Sequence, residues 1–483
     1  MNTPSSKNAR LKANSFGWSG QFFQSMAHMA PAIGVVLNAQ VMASRAGSAL
    51  PLASLFAMIL ALLLAYCLGL LTRKYYGASG YFQIHSRALG SKVGFVTSWL
   101  FLLYEPFNAF LNFFGFGILI FEPFSKAYWG FTIPWWIVVI VGNLIITFFS
   151  LAHIKSSMRT AAILGMVEFI VFLVLGALLI LKSDHPFQPQ SFALSSSADG
   201  IGGLLFAFIF GFMAFVGYES GLPLTEETKD TTNATFKGLL TSVGLAGLFY
   251  VFLSYATVVG FSGGDNSKQF GQDFSNAANP YGSTLALKVF GAVGPWLILF
   301  AAINSTLGCC LAGQNASARV LYALGRAKIL PQLLGQIHKK NHIPSNAIFL
   351  SSGFTFLVTF LFYFLAQKGN PLDWYYFLGM MLVLPLLIIH LMTCVSVFIT
   401  YRHKEKGDFK LLHHGLIPLV TGLLALLPIW GAIYYNQTPP ISYVPWVVLI
   451  WFLIGIGVYS WLKRRNPKGL SQLESEMDLL TQP

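Results

Sequence analysis

Leu52-Ala53-Ser54-Leu55-Phe56-Ala57-Met58-Ile59-Leu60-Ala61-Leu62-Leu63-Leu64-Ala65-Tyr66-Cys67-Leu68-Gly69-Leu70-Leu71 runs for twenty residues without a charged side chain. A helix of about 20 mostly apolar residues crosses the hydrocarbon core of a bilayer. Arg73 and Lys74 follow at once and end the run in cations. The pattern recurs along the chain, and twelve spans are predicted: roughly 20–46, 50–71, 92–120, 132–152, 160–181, 201–221, 236–260, 286–316, 346–366, 373–400, 412–434 and 442–462. Val444 to Trp461 is nearly as unbroken as the opening run, whereas the fourth and eleventh stretches are shorter or interrupted by proline. Barrel strands would alternate over about 10 residues, so the fold class is an all-α polytopic membrane protein.

Composition points the same way. Of 483 residues, 55% are hydrophobic and 10% charged, against about 25% charged in soluble proteins. So few charges cannot coat several soluble domains, and Lys and Arg this sparse do not build a nucleic-acid groove. Trp129, Trp135, Trp136, Tyr443 and Trp446 sit near span ends, where amphipathic rings prefer the interface. The net charge of +13 follows from orientation. With the N-terminus inside, 24 of the 30 Lys and Arg residues fall on the cytoplasmic side, as the positive-inside rule asks. The expectation is an integral protein of the plasma (bacterial inner) membrane with both termini cytoplasmic. No signal peptide is read in the first seventeen residues. Cytoplasmic tails at 1–17 and 464–483 flank one membrane domain, 18–463, whose core covers about 18–400 and whose last two helices cover about 412–463. The longest connections, 182–200, 261–285 and 317–345, are too short for a further domain. Cys67, Cys309, Cys310 and Cys394 all fall in predicted helices and read as free thiols.

Two stretches invite a helix to break. Met29-Ala30-Pro31-Ala32-Ile33-Gly34 puts proline and glycine near the middle of the first span. Gly211-Phe212-Met213-Ala214-Phe215-Val216-Gly217-Tyr218-Glu219-Ser220-Gly221 carries three glycines in the sixth. Broken backbone is tolerated in a bilayer only where it is buried in protein or lines a cavity. If the chain is two five-helix repeats, breaks in spans one and six occupy corresponding positions, the pointer to a midplane site in an inverted-repeat transporter. Proline kinks and glycine packing faces give the same residues a plainer reading.

Three acids fall inside spans: Glu105, Glu168 and Glu219. An intramembrane carboxyl is costly and is by default a functional hypothesis, here a carrier of a coupled proton. Glu219 adjoins the second break, where it has the alternative task of accepting hydrogen bonds from freed N–H groups. Glu105 shares a helix face with Asn108 and Asn112, lining a pathway or forming a seam between helices. Gln21, Gln24 and His28 make a similar stripe in the first span and read as a vestibule.

Several segments together resemble the amino acid–polyamine–organocation permeases. They are Ala46-Gly47-Ser48-Ala49-Leu50-Pro51-Leu52; Ser79-Gly80-Tyr81 with Arg87-Ala88-Leu89-Gly90, Gly94-Phe95 and Trp99; Phe215-Val216-Gly217-Tyr218-Glu219 with Glu226-Glu227-Thr228-Lys229; and Asn304, Ser317 through Arg326 and Leu330-Pro331. The resemblance implies a LeuT-type core of two inverted five-helix repeats plus two C-terminal helices. It implies a substrate, an amino acid or amine, held between the broken first and sixth helices. The matching positions are Ala32, Ile33, Gly34 and Val35, which would offer N–H groups to a carboxylate. Gly211, Phe212, Met213 and Ala214 would offer carbonyls to an amine, with Phe215 and Tyr218 beside the gate. In sodium-coupled relatives hydroxyls on the eighth helix join an ion site, and here they would be Ser305 and Thr306. The first break lacks the family's glycine-rich pattern. Glu168 stands where some members carry a lysine that replaces sodium, so neither substrate nor coupling ion transfers.

The reading is a secondary active amino acid permease working by alternating access, proton-coupled, with a polyamine exchanger or sodium symporter as alternatives. No cofactor or metal is called, and the partners are the substrate, a proton or sodium ion and the bilayer, in a monomer or homodimer. A membrane-embedded enzyme is the rival class. Neither metal-ligand spacing nor a phosphate-binding loop supports it, and a channel usually needs fewer helices per chain.

Overall fold

The computed structural model describes residues 17–75, 79–151, 154–262, 266–326, 329–338, 342–367, 369–434 and 438–465. The expected tails, 1–17 and 464–483, lie almost wholly outside the described residues. The fold is all-helical, with no strand among the described residues. Nine helical stretches in them are long and apolar enough to cross a membrane. The first, Trp18–Thr72, comprises α1 (Trp18–Met29), α2 (Pro31–Ala46) and α3 (Leu50–Thr72). Next come α4 (Tyr81–Leu89), α5 (Ser91–Tyr104), α6 (Asn108–Phe116), α7 (Glu122–Trp129), α8 (Trp135–Ser150) and α9 (Ile154–Leu181). The second half holds α10 (Gly200–Met213), α11 (Thr231–Ser262), α12 (Ser267–Asn276), α13 (Leu287–Phe290) and α14 (Gly294–Arg326). The chain closes with α15 (Ser345–Ala366), α16 (Pro371–Ile399), α17 (Ile417–Tyr434) and α18 (Val444–Arg465).

Three departures from the sequence reading have local causes. The third span is interrupted by a tight turn at Glu105-Pro106-Phe107, where Pro106 has no N–H for the helix and its ring crowds the preceding turn. The connection read as 261–285 contains α12, whose Asn266 side chain caps it by accepting from the Gln269 N–H. The fourth span shortens to the apolar helix Trp135–Ser150, whose start Pro134 precedes.

Each half of the first broken helix pairs with one half of the second. α1 lies along the Tyr218–Glu227 segment, and α2 lies along α10. α3 and α11 form the most extensive helix pair beside them, and α14 runs against α1, α6 and α9. The two breaks are thereby brought together at the centre. Outside this core, α15, α17 and α18 turn residues such as Phe360, Leu419 and Ile450 outward, as helices facing lipid do. α18 is hooked to α5 by a reciprocal pair. The Trp99 indole donates to the Trp451 carbonyl at 2.9 Å, the Trp451 indole donates to the Trp99 carbonyl at 2.8 Å, and their rings stack 4.7 Å apart. The four cysteines are buried and unpaired.

Candidate functional site between two broken helices

The first break is a single residue. Ala30 takes the left-handed conformation (φ 46°), which costs an L-residue roughly 1–2 kcal/mol. Pro31 starts α2 at the one position where a missing N–H is harmless. The break leaves carbonyls at the end of α1 and N–H groups at the start of α2 without helical partners. Neighbours meet several of them. The Ile33 N–H donates to Ser305 Oγ at 3.2 Å, and the Cys309 thiol donates to the His28 carbonyl.

The second break begins where α10 ends at Met213, and it turns through Gly217 at φ 104°. Glu219 occupies it. One carboxyl oxygen accepts from the Gly217 N–H at 3.1 Å and the other accepts from the Tyr104 hydroxyl at 2.8 Å. Tyr218 contributes its carbonyl to the Ser25 hydroxyl (2.6 Å), and its own hydroxyl meets His390 Nε2 (2.9 Å). The Tyr250 hydroxyl, from α11, donates to the Ala214 carbonyl at 2.7 Å and lies 3.4 Å from the Met29 carbonyl. One phenol therefore spans both breaks. Its ring meets Phe215 edge-on at 4.9 Å.

Between them lies a small cavity bounded by Gly34, Val35, Asn38, Gly211, Ala214, Phe215 and Tyr250, with about 10 Å³ of room, roughly one water molecule. Ala32 and Ile33 open α2 outside this lining, and Phe212 is fully buried behind it. Met213 instead faces α16, its sulfur 2.6 Å from where a Cβ on Gly379 would stand.

His28 is the hub of a second cluster. The Asn108 amide donates to its Nε2 at 2.5 Å, and Glu105 Oε1 lies 3.6 Å from the same nitrogen. Asn108 needs an unprotonated Nε2, whereas Glu105 can meet the same nitrogen as a carboxylate only if the ring is protonated there, or as a carboxylic acid that donates to it. Asn112 donates to Asn108 Oδ1 at 2.8 Å, so the predicted Glu105–Asn108–Asn112 stripe converges on the imidazole despite the turn at Pro106. Gly217 and Gly313 make room for that ring. A Cβ on Gly217 would stand 2.6 Å from it, and one on Gly313 2.9 Å from Nε2.

Glu168 lies behind the first break. It accepts from the Asn304 amide at 3.3 Å and is hydrogen-bonded to Ser305, which links the α2 N-terminus to a carboxyl. Thr306 is turned away, its hydroxyl donating to the Ala302 carbonyl of its own helix. On α1, Gln21 donates to Thr228 (2.7 Å) and Gln24 to the Ala312 carbonyl (3.1 Å). Those glutamines tie α1 to its neighbours.

Several participants escaped sequence reading. Tyr250 and Tyr104 are two of 19 tyrosines, in apolar runs with no distinguishing spacing. Glu227 and Arg319 were read as cytoplasmic-side charges, yet they form a buried ion pair with Nε to Oε2 at 2.7 Å. The only available signal was that both stand in the quoted segments.

Residues 16–459 match the family described as amino acid permease. The chain belongs to that family. Within it, the permease is 28% identical over 316 residues to the low-affinity putrescine importer PlaP of Escherichia coli (strain K12), covering 62% of this chain and 64% of that protein. It is 24% identical over 344 residues to the branched-chain amino acid permease BcaP of Lactococcus lactis subsp. cremoris (strain MG1363), covering 69% and 66%. The cationic amino acid transporter 5 of Arabidopsis thaliana matches at 22% over 264 residues, covering 53% and 42%. The permease thus spans just under two thirds of the first of these relatives. With this family and these apolar helices, it is an integral membrane protein of the amino acid–polyamine–organocation group.

Proposed function

We propose that the permease is a secondary active transporter of amino acids or related amines, driven by protons through Glu219. The observation that carries this reading is the position of Glu219. It is a buried carboxyl that holds a backbone N–H of one break and, through Tyr104, the third span. Loading a proton on Glu219 removes an acceptor from Gly217 or Tyr104, so proton occupancy and the shape of the break are coupled. The substrate would lie between α2 and α10 in a state more open than this one, whose cavity holds about one water, with its amine toward the Ala214 carbonyl and its carboxylate toward the α2 N-terminus, whose partial positive charge favours anions. Val35 and Phe215 give the cavity apolar walls, which suits an aliphatic side chain or methylene backbone.

The same reading takes the chain as twelve spans with an inverted 5+5 core. The 55-residue first stretch counts twice, and α8 and α9 count once each. The termini are cytoplasmic and the host is the plasma membrane. Ser305 faces the first break with its hydroxyl, whereas the Thr306 hydroxyl donates within its own helix, so sodium coupling through this hydroxyl pair is the weaker alternative. Glu168 and the Glu105–His28 cluster are the further proton-handling groups.

The test is uptake into liposomes under an imposed pH gradient, after a thermal-shift screen of amino acids and amines has identified the substrate, since binding raises apparent stability. Glu219→Gln is expected to abolish gradient-driven accumulation while leaving substrate binding measurable. Full gradient-driven uptake by this variant would sink the proposal.

A further inference from the structure

A large apolar recess lies away from the two breaks, on the outer side of the bundle between α16 and α17. It is a groove of about 780 Å³. Leu391, Cys394 and Phe398 form one wall, and Leu412, Leu419 and Leu426 lie along the other. From Gly415 to Leu426 the groove follows the chain for about 16 Å at 1.5 Å per residue, close to half of a 30 Å hydrocarbon core. Gly422 lines its floor. A Cβ there would meet Leu391 and Cys394 only at 3.9–4.0 Å.

The mouth of the groove is chemically different. Lys410 adjoins the lining residue Leu411 and Arg402 follows Phe398 by one helical turn, both exposed and both without an ion pair among the described residues. The acids beside them are already used, because Glu405 and Asp408 each bind Lys74 Nζ at 3.0 Å. The Arg402 guanidinium is held 5.5 Å over the Phe409 ring, and Phe409 packs edge-on against Phe398 in the groove wall. Two exposed cations outside any ion pair among the described residues therefore stand beside one end of an apolar channel about half a hydrocarbon core long.

We propose that this groove binds an anionic phospholipid, with an acyl chain along α17 and the phosphate at Arg402 and Lys410. A zwitterionic lipid fills the channel equally well but gains less at the mouth. Each basic group near an anionic headgroup is worth about a fivefold change in affinity. The site lies apart from both breaks, so it stands or falls independently of the transport reading.

The test titrates phosphatidylglycerol and phosphatidylcholine against the purified full chain. Native mass spectrometry counts the lipids retained and thermal shift follows their effect. Wild type is expected to retain one phosphatidylglycerol in preference to phosphatidylcholine. The exposed double variant Arg402→Ala/Lys410→Ala is expected to weaken that binding about 25-fold. Gly422→Phe is expected to lose the same lipid by blocking the channel. Three results would overturn the proposal: equal retention of the two lipids, unchanged phosphatidylglycerol affinity in the double variant, or equal stabilisation by soluble glycerol phosphate, which has no chain for the groove.

Discussion

At the scale of single residues, the site depends on the fit between His28 and two glycines. Gly217 combines a positive φ with a Cβ position 2.6 Å from the imidazole, so alanine there meets two separate penalties. The conformational one is roughly 1–2 kcal/mol, and the steric one adds to it. Gly217→Ala is expected to lower the melting temperature of the purified protein and to abolish uptake. Removing the ring in Gly217→Ala/His28→Ala relieves the clash but not the backbone strain, so a partial recovery of melting temperature is expected. If the double variant melts no higher than Gly217→Ala, the imidazole is not what the glycine accommodates. Tyr250→Phe tests the phenol that spans the breaks. It leaves the Ala214 carbonyl short of a buried partner, at a cost of about 1–3 kcal/mol, and substrate affinity is expected to change along with the melting temperature.

At the scale of elements, the Arg319–Glu227 pair fastens the Tyr218–Glu227 segment to α14. Both side chains are buried, and Arg319 also donates to the Asn315 carbonyl. Removing one partner strands a buried charge, at about 3–5 kcal/mol, whereas neutralising both costs much less. Arg319→Ala is therefore expected to melt far below wild type. Arg319→Met/Glu227→Gln should recover most of the loss, and a double variant as unstable as the single one would contradict the pairing. This element-level organisation was only partly legible beforehand. The apolar runs announced the helices because lipid tolerates little else. Proline and glycine marked both breaks, although the turn itself falls on Ala30, one residue ahead of Pro31, where proline disfavours a helical neighbour. Glu105, Asn108 and Asn112 were legible as a face, but not the imidazole they meet, because contacts between distant spans leave no local periodicity. Thr306 shows the same limit. Its position suggested the ion site, and only the folded helix shows that its hydroxyl donates to the Ala302 carbonyl.

At the scale of the whole molecule, the basic end is laced together by ion pairs that respond to pH. Lys74 hydrogen-bonds Asp408 and Glu405, which raises its pKa, and Lys74 in turn holds the Asp408 carboxyl below its usual range. The signs are opposite and the windows overlap. The depressed Asp408 contributes above its unfolded value, about 3.9, and is lost as pH falls through its lower folded value. The raised Lys74 contributes below about 10.4 and is lost as pH rises through its higher folded value. Hydrogen exchange at 405–410, corrected for its intrinsic rate, is expected to stay flat through neutrality and to accelerate only toward strong acid or strong base. A steep change near pH 6–7 would assign the linkage to other groups.

The Trp99–Trp451 hook gives the bundle a built-in reporter. Two indoles stacked at 4.7 Å couple their excited states, and such coupling decays steeply with separation. The exciton couplet that the pair adds to the far-ultraviolet circular dichroism, isolated as the difference between wild type and Trp451→Phe, therefore reads out one contact, the docking of α18 on α5, among 11 tryptophans. A label-free spectrum can thus follow whether the last helix stays attached while the centre changes shape.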